Sequence, residues 1–151
     1  MGATGDFPGS VCQACATEGP GVRARGRISL MAVLCDACWN RAANDLAADE
    51  GATAAPRPDP DPEDTAWIEP APCRACGAEV RVLPTNYDRW IVLATVELPA
   101  KDVPPRFRWR LVHGQDGAVA VRVRGIEPAL GDPVVPDHRM LCPAQEAAAP
   151  P

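Results

Sequence analysis

Seven cysteines and one histidine supply eight side chains suited to holding soft metal ions. They fall into short-spaced pairs: Cys12 with Cys15, Cys35 with Cys38, Cys73 with Cys76, and His138 with Cys142. Structural zinc takes four thiolate or imidazole ligands in a tetrahedron, and each such pair provides two corners. The arithmetic predicts two closed sites, one from Cys12, Cys15, Cys35 and Cys38, the other from Cys73, Cys76, His138 and Cys142, and so two Zn2+ per chain. His113, the other histidine, competes with His138 for the second site. A closed site has no open coordination position at which to activate water. No spacing organises His113 and the scattered carboxylates into a catalytic set, so the chain is expected not to be an enzyme.

A disulfide framework is the rival use of cysteine. An odd count of seven, and an N-terminus without the charged and apolar regions of a signal peptide, argue for a reducing, cytoplasmic setting. No apolar run approaches the length of a membrane span.

The elements that position these pairs must be small. The chain has 151 residues, 18 of them proline, and only 5% aromatics, which does not suit one large core. Residues 10–50 read as a first module. Cys12 to Cys15 is a knuckle, Gly19-Pro20-Gly21 and Gly26 are turn signals, and Ile28 to Leu34 suits a short strand. Cys35 and Cys38 then open a helix in which Trp39, Ala42, Ala43 and Leu46 recur at helical spacing. A knuckle facing the first turn of a helix is treble-clef-like. Arg23, Arg25 and Arg27 alternate between the pairs, as on a solvated strand face or an anion-binding patch.

Residues 51–71 form an acidic linker in which Pro56, Pro58, Pro60 and Pro62 alternate with other residues, a pattern that favours extended backbone. Residues 72–144 read as a zinc-ribbon-like antiparallel β module with strands near 80–83, 90–98, 107–113 and 119–126. Residues 145–151 are an Ala/Pro-rich tail. The expected fold class is therefore a small zinc-stapled α+β protein.

The segment from Arg106 to Arg124 reads as a hairpin with Gln115-Asp116-Gly117 as a three-residue loop. That register pairs Arg110 with Arg122 and Arg108 with Arg124, and puts Phe107, Trp109, Leu111, Val121 and Val123 on the other, apolar face. Arg106, Arg108, Arg110, Arg122 and Arg124 would then share one exposed basic face. Like charges across a sheet destabilise it, so something should neutralise them: neighbouring carboxylates, the acidic linker, a nucleic-acid backbone or an acidic protein. A net charge of −5 argues against non-specific nucleic-acid binding. The reading that follows is a binding adaptor for a macromolecule, protein ahead of nucleic acid. The alternatives are a nucleic-acid-binding regulator using the arginine face and a redox-sensitive zinc switch.

The second module resembles an uncharacterised, domain-of-unknown-function family common in actinobacteria. The likeness lies in Cys73-Arg-Ala-Cys76-Gly77, in Pro84-Thr85-Asn86-Tyr87-Asp88-Arg89-Trp90, in Val103-Pro104 and Arg108-Trp109, and in His138-Arg139-Met140-Leu141-Cys142-Pro143. It covers residues 73–143 and implies that His138 and Cys142 act together. It implies no activity. The block from Pro84 to Trp90 is open to two readings: a stacking surface built on Tyr87, Arg89 and Trp90, or a structural turn held by Asn86 whose aromatics close a small core.

Overall fold

The computed structural model describes residues 10–28, 30–54, 71–73, 75–115, 117–123 and 128–143. Most of the linker, the tail, residues 1–9 and Arg124 lie outside the described residues. Whether the acidic linker covers a basic face therefore also falls outside them.

The first ligand pairs flank a short antiparallel ladder of β1 (Arg23–Arg25) and β2 (Ala32–Leu34). Helix α1 (Asp36–Glu50) follows at once, with Cys35 as its extended N-cap residue and Asp36 as an acid in the first turn, where the helix dipole favours negative charge. Its buried residues are Trp39, Ala43, Ala47 and Glu50, spaced along one stripe. Gly51 ends the helix in the left-handed region at φ 82, and its N–H donates to the Ala47 carbonyl at 2.7 Å.

The remaining elements are β3 (Ala71–Pro72), β4 (Glu79–Pro84), β5 (Trp90–Ala94), β6 (Leu98–Pro99), β7 (Arg108–Gly114), β8 (Gly117–Arg122), β9 (Pro133–Pro136) and a single helical turn α2 (His138–Leu141). They form two antiparallel sheets, ordered β3-β4-β5 and β6-β9-β7-β8. The sheets meet through Ile91 and Leu93 on one side and Trp109, Ala120 and Val135 on the other, all buried. The architecture is a small α+β fold.

The hairpin register differs from the expected one. Gly114 pairs with Gly117, leaving a two-residue connection, and Trp109 lies opposite Arg122, Arg110 opposite Val121 and Leu111 opposite Ala120. The alternation argument failed because β8 is covered on both sides. Val119, Ala120 and Val121 are consecutive and all buried, so the strand carries no period of two to read.

The block Pro84–Trp90 meets helix α1 and its neighbours. Tyr87 is buried in the same cluster as Trp39, Ala43 and Ala47. Its hydroxyl donates to Glu50 at 2.7 Å. The Asn86 side chain donates to the Ile28 carbonyl at 3.0 Å, and the Arg27 N–H donates to the Asn86 carbonyl at 2.9 Å. Arg89 reaches Asn44 on the helix at 3.0 Å, and Thr53 exchanges backbone bonds with Trp90 at 2.8 Å. Tyr87 and Asn86 thus serve structure.

Candidate metal centres

Four sulfurs converge at the first centre. Cys12 and Cys15 sit on a knuckle tied to β2, with the Gln13 N–H donating to the Val33 carbonyl at 2.9 Å and the Val33 N–H to the Gln13 side chain at 2.9 Å. The knuckle closes at Ala16, which takes the left-handed φ of 62 while its N–H donates to the Cys12 carbonyl at 2.9 Å. Cys35 and Cys38 come from the start of α1. The second centre repeats the device: Gly77 holds φ 75 and donates to the Cys73 carbonyl at 2.7 Å, while His138 and Cys142 bracket α2.

Within each set, Cys12, Cys15, Cys35 and Cys38 or Cys73, Cys76, His138 and Cys142, all ligand atoms lie within 4.8 Å of one another. The sulfurs of Cys15 and Cys35 are 3.7 Å apart and those of Cys73 and Cys142 are 4.0 Å apart. A tetrahedron with Zn–S bonds of about 2.3 Å has edges of about 3.8 Å. The Cys76 sulfur lies 3.4 Å from His138 Nε2, and a mixed sulfur–nitrogen edge should be about 3.6 Å. The donor sets fit a tetrahedral soft cation, and each centre could hold a metal ion.

The thiols are electrostatically unequal. The backbone bond from Cys35 holds Cys12 down at about 6, against burial. The Thr17 hydroxyl, 3.0 Å away, lowers Cys15. Bonds with Cys35 and Cys15 push Cys38 up to about 12. At the second centre, burial opposes ionisation of Cys73, but backbone bonds from Cys76 and Ala75 outweigh it and lower its pKa. Cys76 accepts a backbone bond at Ala78 that favours its thiolate, yet burial and its contacts with Cys73 and Cys142 raise it. Burial lowers His138 against the pull of Asp137, which favours the neutral ring a metal needs. His113 lies on β7, outside both clusters.

Among the described residues, the structure does not bring Arg106, Arg108, Arg110 and Arg122 onto one exposed face, and Arg124 lies outside them. Arg108 is buried and donates to the carbonyls of Val103 at 2.7 Å and Ala100 at 2.9 Å, stapling the 3-10 turn Ala100–Asp102 to β7. Arg122 lies over the Trp109 ring at 5.7 Å, donates to the Arg106 carbonyl, and its Nε is 3.9 Å from Glu50. Arg106 stacks on Phe107 at 4.6 Å and, like Arg110, is exposed. Nor do Arg23, Arg25 and Arg27 form a patch. Arg25 is buried against Asp36, and Arg27 pairs with Asp88 at 3.4 Å.

Three residues that sequence reasoning missed tie the second centre to α1. Asp137, almost fully buried, caps α2 by accepting the Arg139 N–H at 2.9 Å, and its carboxylate also takes the Arg139 guanidinium at 2.8 Å. Arg139 in turn donates to the carbonyl of Glu50 at 2.9 Å. An Asp just before a helical turn is a readable cap signal. Glu50 gave none.

Among the described residues, no helix is long and apolar enough to cross a membrane. No curated protein and no solved structure matches the chain. The model of a family of unknown function, DUF6083, matches residues 53–151, which hold the whole second centre and the Pro84–Trp90 block, and the chain belongs to that family.

Proposed function

We propose that the chain is a non-enzymatic, two-zinc binding protein that presents a metal-stapled surface to a macromolecular partner, a protein ahead of nucleic acid. The observation that carries the reading is the convergence of two complete four-donor sets, one of four sulfurs and one of three sulfurs and an imidazole nitrogen. Such sets favour zinc and leave it no open position for water, so the metal serves folding and not hydrolysis. The knuckle, the β1–β2 ladder and the paired cysteines at the start of α1 support a treble-clef-like first module. The knuckle at Cys73–Gly77 with its antiparallel strands supports a zinc-ribbon-like second one. Reduced thiols suit a cytoplasmic location.

The preference for a protein partner is supported by the fate of the arginines. Arg108 is committed to backbone carbonyls and Arg122 to Trp109 and Glu50. A phosphate-binding stripe loses two of its members. The exposed Cys15 favours a second reading, a redox-responsive first centre, since that sulfur is open to oxidant while Cys12 and Cys142 are buried.

Native mass spectrometry of the reduced full chain tests the zinc reading, with two zinc ions per chain expected. His138→Ala should remove one and His113→Ala none; one zinc or fewer in the unaltered chain refutes it. Pull-down from lysate at graded salt tests the partner class. Capture that survives high salt and nuclease supports a protein, and capture abolished by nuclease refutes it. Mild peroxide separates the redox reading, because a first centre that keeps its zinc is not a switch.

A further inference from the structure

The registers of the two sheets bring cationic and donor side chains to one open end of the molecule. Arg81 lies directly opposite Leu93, so it leaves β4 on the same face as Leu83, Ile91 and Leu93, the face that packs on the hairpin. On β7 the residues of the matching face are Trp109, Leu111 and His113. Arg81 on one sheet and His113 on the other both line one cavity. Strand β9 also parts from β7 there. Their ladder holds only Arg108 opposite Pro136 and Trp109 opposite Val135. Two residues further on, the register would require Pro133, which has no N–H to donate.

The parting strands leave a cavity of about 310 Å³ with Trp109 and Leu111 on its apolar side and Arg81, Arg110, His113 and Glu97 around it. That is the lower end of the range for small-molecule pockets, about 300–1,000 Å³, which combine apolar walls with a few convergent polar groups.

What marks this cleft is a half-buried cation without an acceptor among the described residues. Arg25, Arg27, Arg89, Arg108, Arg122 and Arg139 each hold a carboxylate, an amide or a carbonyl oxygen. Arg81 and Arg110 hold none among the described residues, although Arg81 is half-buried and Glu97 lines the same cavity. A half-buried guanidinium without an acceptor is unusual, because removing it from water without compensation is unfavourable. The buried Nε1 of Trp109, another lining residue, also lacks a hydrogen-bond partner among the described residues.

We propose that this cleft binds a small organic carboxylate: a single carboxylate group on a compact apolar body. Arg81 takes the oxyanion from the inner face and Arg110, which leaves the opposite face of β7, approaches it across the edge that β9 leaves open; His113 offers a further ring nitrogen, and the apolar body lies against Trp109 and Leu111. Two guanidiniums against one carboxylate leave the lining at +1, which matches a monoanion better than a phosphate dianion. Planar guanidinium forks also match carboxylate geometry. The cleft shares no residue with either cysteine cluster, so the inference does not rest on the zinc reading.

The test is an amide and indole NMR titration of the full, zinc-loaded chain with benzoate, benzyl alcohol and inorganic phosphate. Benzoate should give saturable shifts centred on Leu111, His113, Val134 and the Trp109 indole, with affinity in about the millimolar range or tighter. Benzyl alcohol should give none, and phosphate should bind more weakly. Arg81→Gln and Arg110→Gln should each weaken benzoate on the order of tenfold, since each removes a charge-assisted contact. Zinc content and spectral dispersion report folding. Arg110, exposed on its strand, carries the test if Arg81→Gln does not fold. Absence of saturable shifts, shifts unchanged in the variants, or phosphate binding tighter than benzoate would each overturn the proposal.

Discussion

Replacing Tyr87 with phenylalanine removes one oxygen atom from the seam between helix α1 and the β sheets. Tyr87 is 2% exposed and its hydroxyl donates at 2.7 Å to Glu50, itself 4% exposed. The ring stays in place against Trp39, Ala43 and Ala47, so the apolar burial is conserved. What is lost is a bond to a charged acceptor, worth about 1.5–3 kcal/mol. Glu50 keeps the Arg122 guanidinium 3.9 Å away, which argues for the lower half of that range, about 2 kcal/mol. For a chain of this size the melting temperature should fall by roughly 4–8 °C.

The informative assay is native-state hydrogen exchange, because it reads the two bodies separately. If the seam joins them into one cooperative unit, the amides of Ala43 and Ala47 on α1 and of Val112 on β7 should lose protection by the same free energy. Glu50→Gln in a double-mutant cycle should then show a coupling of about 0.5–3 kcal/mol with Tyr87→Phe. A substitution effect below about 0.5 kcal/mol, the usual value for a surface site, would refute the reasoning. So would loss of protection confined to α1, since it would mean that the modules unfold independently.

Four further outcomes follow from the same geometry. Arg108→Met should destabilise by about 2–4 kcal/mol, because two buried carbonyls lose their donors, while Arg110→Gln should stay within about 0.5 kcal/mol; urea unfolding distinguishes this from an exposed arginine stripe. Ala16→Gly should stabilise the zinc-loaded chain by about 1 kcal/mol, since Ala16 holds φ 62 where the other knuckle has Gly77, and a lower melting temperature would contradict the strain. In the metal-free chain near pH 7.5, iodoacetamide should modify Cys15 first and Cys38 last, as read by peptide mapping, because Cys15 is exposed with a lowered pKa and Cys38 is raised to about 12. Burial lowers the folded pKa of His138 from its ordinary 6.5, so the unfolded chain binds the proton first and stability is lost as pH falls from 6.5 towards the lowered value. Urea midpoints of the metal-free chain at pH 7.5 and 5.5 should differ in that sense, and His138→Asn should flatten the difference.

The two ligand sets were legible because metal coordination demands few residue types at short spacings. Four pairs drawn from eight such residues leave little freedom. Helix α1 was legible through Trp39, Ala42, Ala43 and Leu46, whose period survives because only one stripe is covered. The hairpin register was not, for the opposite reason: with Val119, Ala120 and Val121 all buried, neither face of β8 is marked by polarity. Arg108 misled because a charged side chain reads as surface unless its acceptors are known, and those are backbone carbonyls, which no sequence pattern displays. Glu50 and Tyr87 are 37 positions apart and meet through one polar contact, which leaves no periodic trace.

Helix α1 joins the two centres mechanically. Cys35 is its N-cap residue and Cys38 lies in its first turn, so an ion in the first centre would fix the start of the helix. At the far end the Glu50 carbonyl accepts from Arg139, whose neighbour His138 belongs to the second centre. The Arg139 guanidinium lies so close over Gly51 that an added methyl group there would overlap it. Glycine suits that position because of its left-handed φ, and any side chain there would also displace the Arg139 guanidinium. Ordering of the helix by the first centre and ordering of α2 by the second meet at one carbonyl. The matched family segment begins at residue 53, just beyond this junction, yet its Asn86, Tyr87, Arg89 and Arg139 all reach back across it. Residues 10–52 therefore complete the surface of the family segment, and a cut at the junction would uncover the buried Tyr87 ring.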